Sequence, residues 1–278
     1  MMKPAARGAK SRILSFTEMS SPRAIPEIVV RHCTTLEEFE ECVLIEHATW
    51  GKDISVVSSI FVVAYHTGGQ VLGAFDGKRM LGFTLALLGV RRGETFLHSH
   101  MTAVLPEFRD HGIGRQLKLF QRDDALKRGI KLVEWTFDPL EAKNAHFNLM
   151  RLGAVARRWI PNCYGVTESP LHGSLPTDRL VAEWRLDSER VKSIVAGNPM
   201  SVGKAAMRIE FPADFSRIRD TNLEAATHIQ ATVRDQFQAL LAKGYVATSI
   251  ETRDGVAGYT LEPRAEIAGL TLPELTEH

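Results

Sequence analysis

Two histidines, His98 and His100, lie on alternate positions of an apolar run, which leads through a short polar connection into Arg109-Asp110-His111-Gly112-Ile113-Gly114. Alternate positions of a strand project from one face, so the two imidazoles are placed together. With an ordinary midpoint of about 6.5, an imidazole accepts a proton near neutral pH, directly or through water. The glycines do something else. Gly112 and Gly114 let the backbone take unusual dihedrals and approach a ligand closely, while the free N–H groups of a first helical turn offer positive partial charge to phosphate oxygens. The pattern is that of a pyrophosphate cradle beside proton-transfer groups.

A G-x-G pair also opens the dinucleotide fingerprint of Rossmann folds. Here Leu117 replaces the third glycine, and residues 106–111 make the approach longer than a tight turn. Glu134, twenty residues past Gly114, can imitate the ribose-binding acid of that fold. The string from Val104 to Leu117 instead resembles the acyl-CoA motif of the GNAT superfamily of N-acyltransferases, a strand followed by R/Q-x-x-G-x-G/A and a helix. Asn144-Ala145-His146-Phe147-Asn148-Leu149-Met150-Arg151-Leu152-Gly153-Ala154 is similar to its second block. Leu97 to Met101 (LHSHM), Trp135 to Leu140 (WTFDPL), Asn144 to Asn148 (NAHFN) and Thr177 to Arg179 (TDR) look like one branch of it, over roughly residues 27–186.

The resemblance implies an acyl-CoA donor, acetyl-CoA or another acyl-CoA, and a set of roles. The backbone near Thr102 would hold the oxyanion and Val104 would pair with the pantetheine arm. Arg109, Asp110, His111, Gly112, Ile113, Gly114, Arg115, Asn144 and Phe147 would hold the cofactor, although Asn144 equally suits a helix cap and arginines are commonly solvated. His98 falls where relatives carry a glutamate base, and the pair with His100 is similar to that of arylalkylamine acetyltransferases. The alternatives are buried sheet histidines or a metal site with His111, although no Cys, Asp or Glu nearby completes the two-histidine strand face at a recognisable spacing. Where the family has a helix tyrosine to protonate the leaving thiolate this chain has Asn148, which cannot; Tyr164 is the substitute donor by this reading. Trp50, Trp135 and Phe137 are candidates to line an acceptor pocket, with Asp138 for an ammonium and Arg179 for a carboxylate. Core packing, turn capping and an internal ion pair are the structural alternatives for those five.

The elements that must position these groups are legible in outline. A strand at Glu27 to His32 is followed by a capping box, Thr34-Thr35-Leu36-Glu37, and a helix to about Trp50, ended by Gly51. Strands Gln70 to Phe75 and Met80 to Leu88 flank an Asp76-Gly77 turn, and Phe96 to Val104 is the third strand before the glycine helix. That helix, from Gly114 to about Arg128, carries Leu117, Phe120 and Ala125 inward and Lys118, Arg122, Asp123 and Lys127 outward. Lys131 to Thr136 is a strand, Asn144 to Leu152 a helix closed by Gly153, and Val155 to Ile160 and Leu180 to Trp184 are strands. The expected class is α/β (α+β): the GNAT fold, a mixed, mostly antiparallel twisted sheet flanked by helices. A β-α-β-β extension follows, with a strand at Met207 to Phe211, a helix bearing Ala226, Ile229, Val233, Phe237 and Leu240, and a hairpin around Asp254-Gly255.

The expected organisation is a flexible leader 1–26, an acyltransferase domain 27–186 and a C-terminal extension 187–278. A net charge of +1 over 278 residues gives no reason to expect nucleic acid or an anionic membrane as a partner. Three cysteines without a C-x-x-C pair suit a reducing, cytoplasmic setting. No apolar stretch reaches the ~20 residues of a membrane span. The reading is transfer of an acetyl or other short acyl group, succinyl included, to a small amine or amino acid, with the oligomeric state open and a homodimer among the options. An O-acyltransferase or a non-catalytic acyl-CoA binding module are the alternatives.

Overall fold

The computed structural model describes residues 27–51, 56–165 and 174–273; the leader 1–26 lies outside them. Strand β1 (Ile28–His32) leads into α1 (Leu36–Trp50). Its cap is one residue later than the sequence suggested. Thr35 accepts from the Glu38 N–H, and Glu38 reaches back to the Thr34 N–H at 2.8 Å. A second helix, α2 (Ser58–His66), has no counterpart in the sequence reading: it is rich in β-branched residues and its N-cap, Val57, offers no side-chain acceptor.

Strands β2 (Gln70–Asp76), β3 (Arg79–Arg91) and β4 (Glu94–Val104) form an antiparallel meander, with α3 (Ile113–Lys127) running back across it. Then come β5 (Leu132–Phe137) and α4 (Ala142–His146). The helix expected over 144–152 changes character halfway, because a π-helical turn occupies Phe147–Arg151. Strands β6 (Val155–Ile160) and β7 (Arg179–Arg185) follow, then α5 (Glu189–Val195), capped by Ser188, in a stretch that reads as featureless in sequence.

The C-terminal part is β8 (Met207–Pro212), α6 (Phe215–Thr221), α7 (Leu223–Ala242), β9 (Tyr245–Arg253) and β10 (Val256–Pro263). It continues the same sheet. The ten strands run β1-β2-β3-β4-β5-β7-β6-β9-β10-β8, with β9 joined to β6 at Ala156↔Ala247. The β4–β5 pairing is parallel, and the other pairings are antiparallel.

Two cores sandwich the first half of the sheet. Phe39, Cys42 and Ile45 of α1 and Phe61 of α2 pack on Phe83, Leu85, Met101 and Ala103. On the opposite face Ile113 and Leu117 of α3 pack on Leu72, Ala74 and Leu81. A larger cluster continues under α3 and α4 through Leu97, Ala125, Val133, Trp135, Leu149 and Trp184 into the C-terminal strands. Among the described residues no helix is long and apolar enough to cross a membrane.

Candidate active site

The site is built from one defect in the sheet. Strands β4 and β5 pair only at Leu97↔Val133 and His98↔Glu134, and beyond those two steps the strands part. Among the described residues the β4 edge from Ser99 to Val104 therefore has no strand partner on that side, leaving ladder groups for another partner. A bulge sits at the point of parting. The β3–β4 register steps from Ala86↔Ser99 to Leu85↔Met101, so His100 is an extra residue. Leu97 and Ser99 face α3, whereas Met101 and Ala103 face α1 and α2.

His98 projects away from α3, and the His100 ring lies beside it with centroids 6.3 Å apart. Burial pushes His98 below the ordinary imidazole midpoint; the charge of His100 adds to this and that of Glu134 opposes it. Burial lowers His100 in the same direction. Both rings are thus neutral at neutral pH, the form that accepts a proton.

Next to His98 in register, Glu134 is not a ribose acid but a sheet-embedded anchor. It takes both guanidinium nitrogens of Arg91, at 3.0 and 2.7 Å, and Arg158 at 2.6 Å. Burial alone would raise this carboxyl, but the two arginines outweigh it and hold it below the usual range. Glu183 on β7 takes Arg157 at 2.9 Å, with Arg158 and Arg185 also near it. Four arginines thus share two carboxylates. Further along β5, Thr136 meets the half-exposed Tyr164 hydroxyl at 2.7 Å. Thr177 fixes that turn by accepting from the Tyr164 N–H and donating to Gly165 O, both at 2.8 Å. Asp138 and Arg179 face one another at 3.9 Å, an internal ion pair in which Arg179 is buried. Trp50 ends α1, half-buried against the core beneath α1 and α2.

On the α3 side the turn 105–112 delivers the helix start. Asp110 and Gly112 both have positive φ, 64° and 80°. Gly112 is the N-cap of α3, so the N–H groups of the first turn have no acceptor within the helix. At Gly112 a side chain would meet nothing within 4 Å, and at Gly114 only Val104 Cγ2 at 3.9 Å. The space beside both glycines fits a phosphate held by backbone donors. Arg109 donates to Val104 O at 3.3 Å, His111 contacts Arg109 O at 2.7 Å, and Asp110 pairs with Lys143 of α4 at 2.8 Å. Asn144 is exposed on α4, Phe147 is half-buried at the start of the π turn, and Thr102 meets Thr84 at 3.1 Å between hydroxyls.

One expectation is corrected, the outward placement of Lys118, and Trp135, Phe137 and Arg115 are placed as follows. Trp135 and Phe137 belong to the core on the α3 side, because β5 alternation sends Glu134 and Thr136 to the histidine face instead. Arg115 does not curl over the glycine turn; it donates to Val195 O at 2.7 Å and lines a cavity of about 490 Å³ shared with α5 and the C-terminal strands. Lys118, expected outward, is buried: Nζ donates to Ser99 Oγ at 2.7 Å and Gln121 Oε1 at 3.0 Å and lies 4.2 Å from the Trp135 ring centroid. The sequence signal was its spacing: 113, 117, 118, 121 and 125 form one buried stripe, and Lys118 falls on it despite its charge.

Comparison with known proteins gives likeness of fold. No family model and no curated protein matches the chain. Among solved structures it is similar to an acetyltransferase assigned to the GNAT family from Desulfovibrio desulfuricans, at 15% identity over 57% of this chain and 99% of that one, with a TM-score of 0.48. It is also similar to the ribosomal-protein-S18-alanine N-acetyltransferase of Escherichia coli, at 16% identity over 64% and 97%, TM-score 0.46. A third is Arabidopsis thaliana Naa50 in complex with a bisubstrate analogue containing CoA, at 14% identity over 56% and 97%, TM-score 0.46.

Proposed function

We propose that this chain is an acyl-CoA-dependent N-acyltransferase that moves an acetyl or other short acyl group to a small amine or amino acid. The observation that carries the reading is the parting of β4 from β5 after His98↔Glu134, with an open glycine turn at one end and two neutral imidazoles at the other. The acyl-CoA brings a thioester, whose carbonyl is open to attack by an amine. The turn at 112–115 holds its diphosphate through backbone N–H groups, and the unpaired β4 edge at Thr102 and Val104 receives the pantetheine amides.

An alkylamine has a midpoint near that of lysine, about 10.4, so only about one molecule in 2,500 is neutral at pH 7. His98 and His100 take that proton, directly or through water, and the freed lone pair attacks the carbonyl carbon. The oxygen that becomes negative is met by a backbone N–H near Thr102. The arginine surplus around Glu134 and Glu183, on the histidine face, supports an acceptor that carries a carboxylate, as an amino acid does.

The experiment is a screen of amines, amino acids and alcohols with acetyl-CoA and succinyl-CoA, read by release of free thiol. Release with an amine supports the proposal. Release only with alcohols makes the chain an O-acyltransferase, and binding of acyl-CoA without release with any acceptor makes it a binding module.

A further inference from the structure

The vertex where β4 and β5 separate holds a group that the mechanism above does not use. Ser99 is the first β4 residue past the ladder and Trp135 the first on β5. Lys118 lies between them, with its ammonium on the Ser99 hydroxyl and above the Trp135 ring. It stands four residues past Gly114, about 6 Å along the helix axis from the phosphate turn. Beside it, Asn148 of the π turn accepts from Trp135 Nε1 at 3.3 Å through Oδ1, while its buried Nδ2 has no acceptor among the described residues. A buried ammonium and a spare amide donor, each held against Trp135 where the two strands open, offer a seat for an anion or a strong acceptor.

The neighbouring charges are committed elsewhere. On α3 itself, Asp124 is held by His32 of β1, Gln70 of β2 and Arg128. From β5, Glu134 points to the opposite face and is saturated by Arg91 and Arg158. From β4, His98 senses the Lys118 charge through the sheet. The π turn beside α4 brings only the neutral Asn148. Burial, with no carboxylate to offset it, pushes the Lys118 ammonium down to about 7. An amine of that midpoint gives up a proton readily near neutral pH.

We propose that Lys118 is the proton donor to the departing thiolate, with the Asn148 amide steadying the sulfur, in the role that Tyr164 was expected to fill. The inference rests on the acyltransferase reading. As the amine nitrogen bonds to the acyl carbon and the C–S bond breaks, the electron pair leaves on sulfur and Lys118 Nζ passes it one proton, giving the free thiol. The amine nitrogen sheds two protons, one before attack and one from the tetrahedral intermediate; both leave through the histidine pair to solvent, one of them restores charged lysine and the other is the net proton released. No oxidant or further reactant is needed. Tyr164 is on the far face of β5, its hydroxyl against Thr136, and is half-exposed.

The test is Lys118→Met, which keeps the length of the side chain and removes its charge. The first measurement needs no acceptor: the thiol of bound CoA is titrated by its thiolate absorbance, with desulfo-CoA as the blank. In the wild-type protein the ammonium should lower the thiol midpoint below that of free CoA titrated in the same way, and in Lys118→Met the shift should vanish while CoA still binds. The second is turnover. The variant should lose about a hundredfold in kcat, together with the alkaline limb that the wild-type rate shows as Lys118 deprotonates. Tyr164→Phe should keep the alkaline limb. A bound thiol that titrates as in solution, or an alkaline limb that survives in Lys118→Met, overturns the inference while leaving the acyltransferase reading in place. Failure of the protein to bind any CoA compound removes that reading, and this inference with it.

Discussion

The two faces of the β4–β5 opening are made from adjacent residues and carry opposite proton chemistry. His98 and Ser99 are neighbours in sequence, yet the pleat sends the imidazole toward α1 and α2 and the hydroxyl toward Lys118 on α3. Burial depresses the midpoints on both faces. For the histidines this yields neutral bases at physiological pH, and for the lysine a donor close to its own midpoint. In the proposed mechanism the incoming and outgoing protons are kept apart by the backbone of one strand rather than by distance. The histidine face also has an arginine-rich floor, which among the described residues has no equivalent beside Lys118.

Removal of the accepting face carries the largest cost. His98→Gln with His100→Gln should lower kcat by about 10² to 10⁴. In the wild type, activity falls as pH drops below the ordinary imidazole midpoint of about 6.5 through the lowered midpoints of the two rings, because protonated rings cannot accept. That acid limb should disappear from the double variant. A full rate with an unchanged acid limb would mean that the histidines are structural and that the two faces do not divide the work as described.

Gly114→Ala asks whether the donor is held on the α3 side at all. The new methyl enters open space, with Val104 Cγ2 at 3.9 Å its only neighbour, so the fold accommodates it. In a helix, alanine is favoured over glycine by up to about 1 kcal/mol, a rise of roughly 2–4 °C in Tm for a protein of this size. A diphosphate drawn close to the backbone is displaced, losing hydrogen bonds to a charged group of about 1.5–3 kcal/mol, and CoA affinity should fall about 10- to 100-fold. A variant that gains stability and loses CoA affinity locates the cradle, whereas calorimetry showing equal affinity would place the diphosphate elsewhere.

The sequence made these two faces unequally legible. Gly112, Gly114 and the alternate histidines could be read because dihedral freedom and strand periodicity are local properties. The strands of the sheet were legible for the same reason. Lys118 was misread because charge outvoted spacing: its position on the stripe of Ile113, Leu117, Gln121 and Ala125 indicated burial, but a lysine is ordinarily solvated. The bulge at His100 and the two-step ladder between β4 and β5 depend on pairing between distant segments and leave no signal within either strand. Helix α2 was missed because it lacks a side-chain cap and its valines and isoleucine favour extended structure. Glu134 carried a false signal, since its distance from Gly114 imitates another fold, and only the guanidinium groups of Arg91 and Arg158 reveal its role.

Tyr164 reports which face supplies the outgoing proton. Tyr164 shares the histidine face, where its hydroxyl bonds Thr136 and its ring lies 5.5 Å from the Arg179 guanidinium. A tyrosine so placed can touch the acceptor, and the loss of one neutral hydrogen bond is worth about 0.5–1.5 kcal/mol. Tyr164→Phe should therefore raise the acceptor KM by about two- to tenfold by the same scale, with kcat and its alkaline limb unmoved. If instead kcat collapses and the alkaline limb vanishes, the thiolate is protonated from the histidine face. Both proton transfers would then share one side of the sheet, and Lys118 would be left as a buried tie between α3 and Ser99.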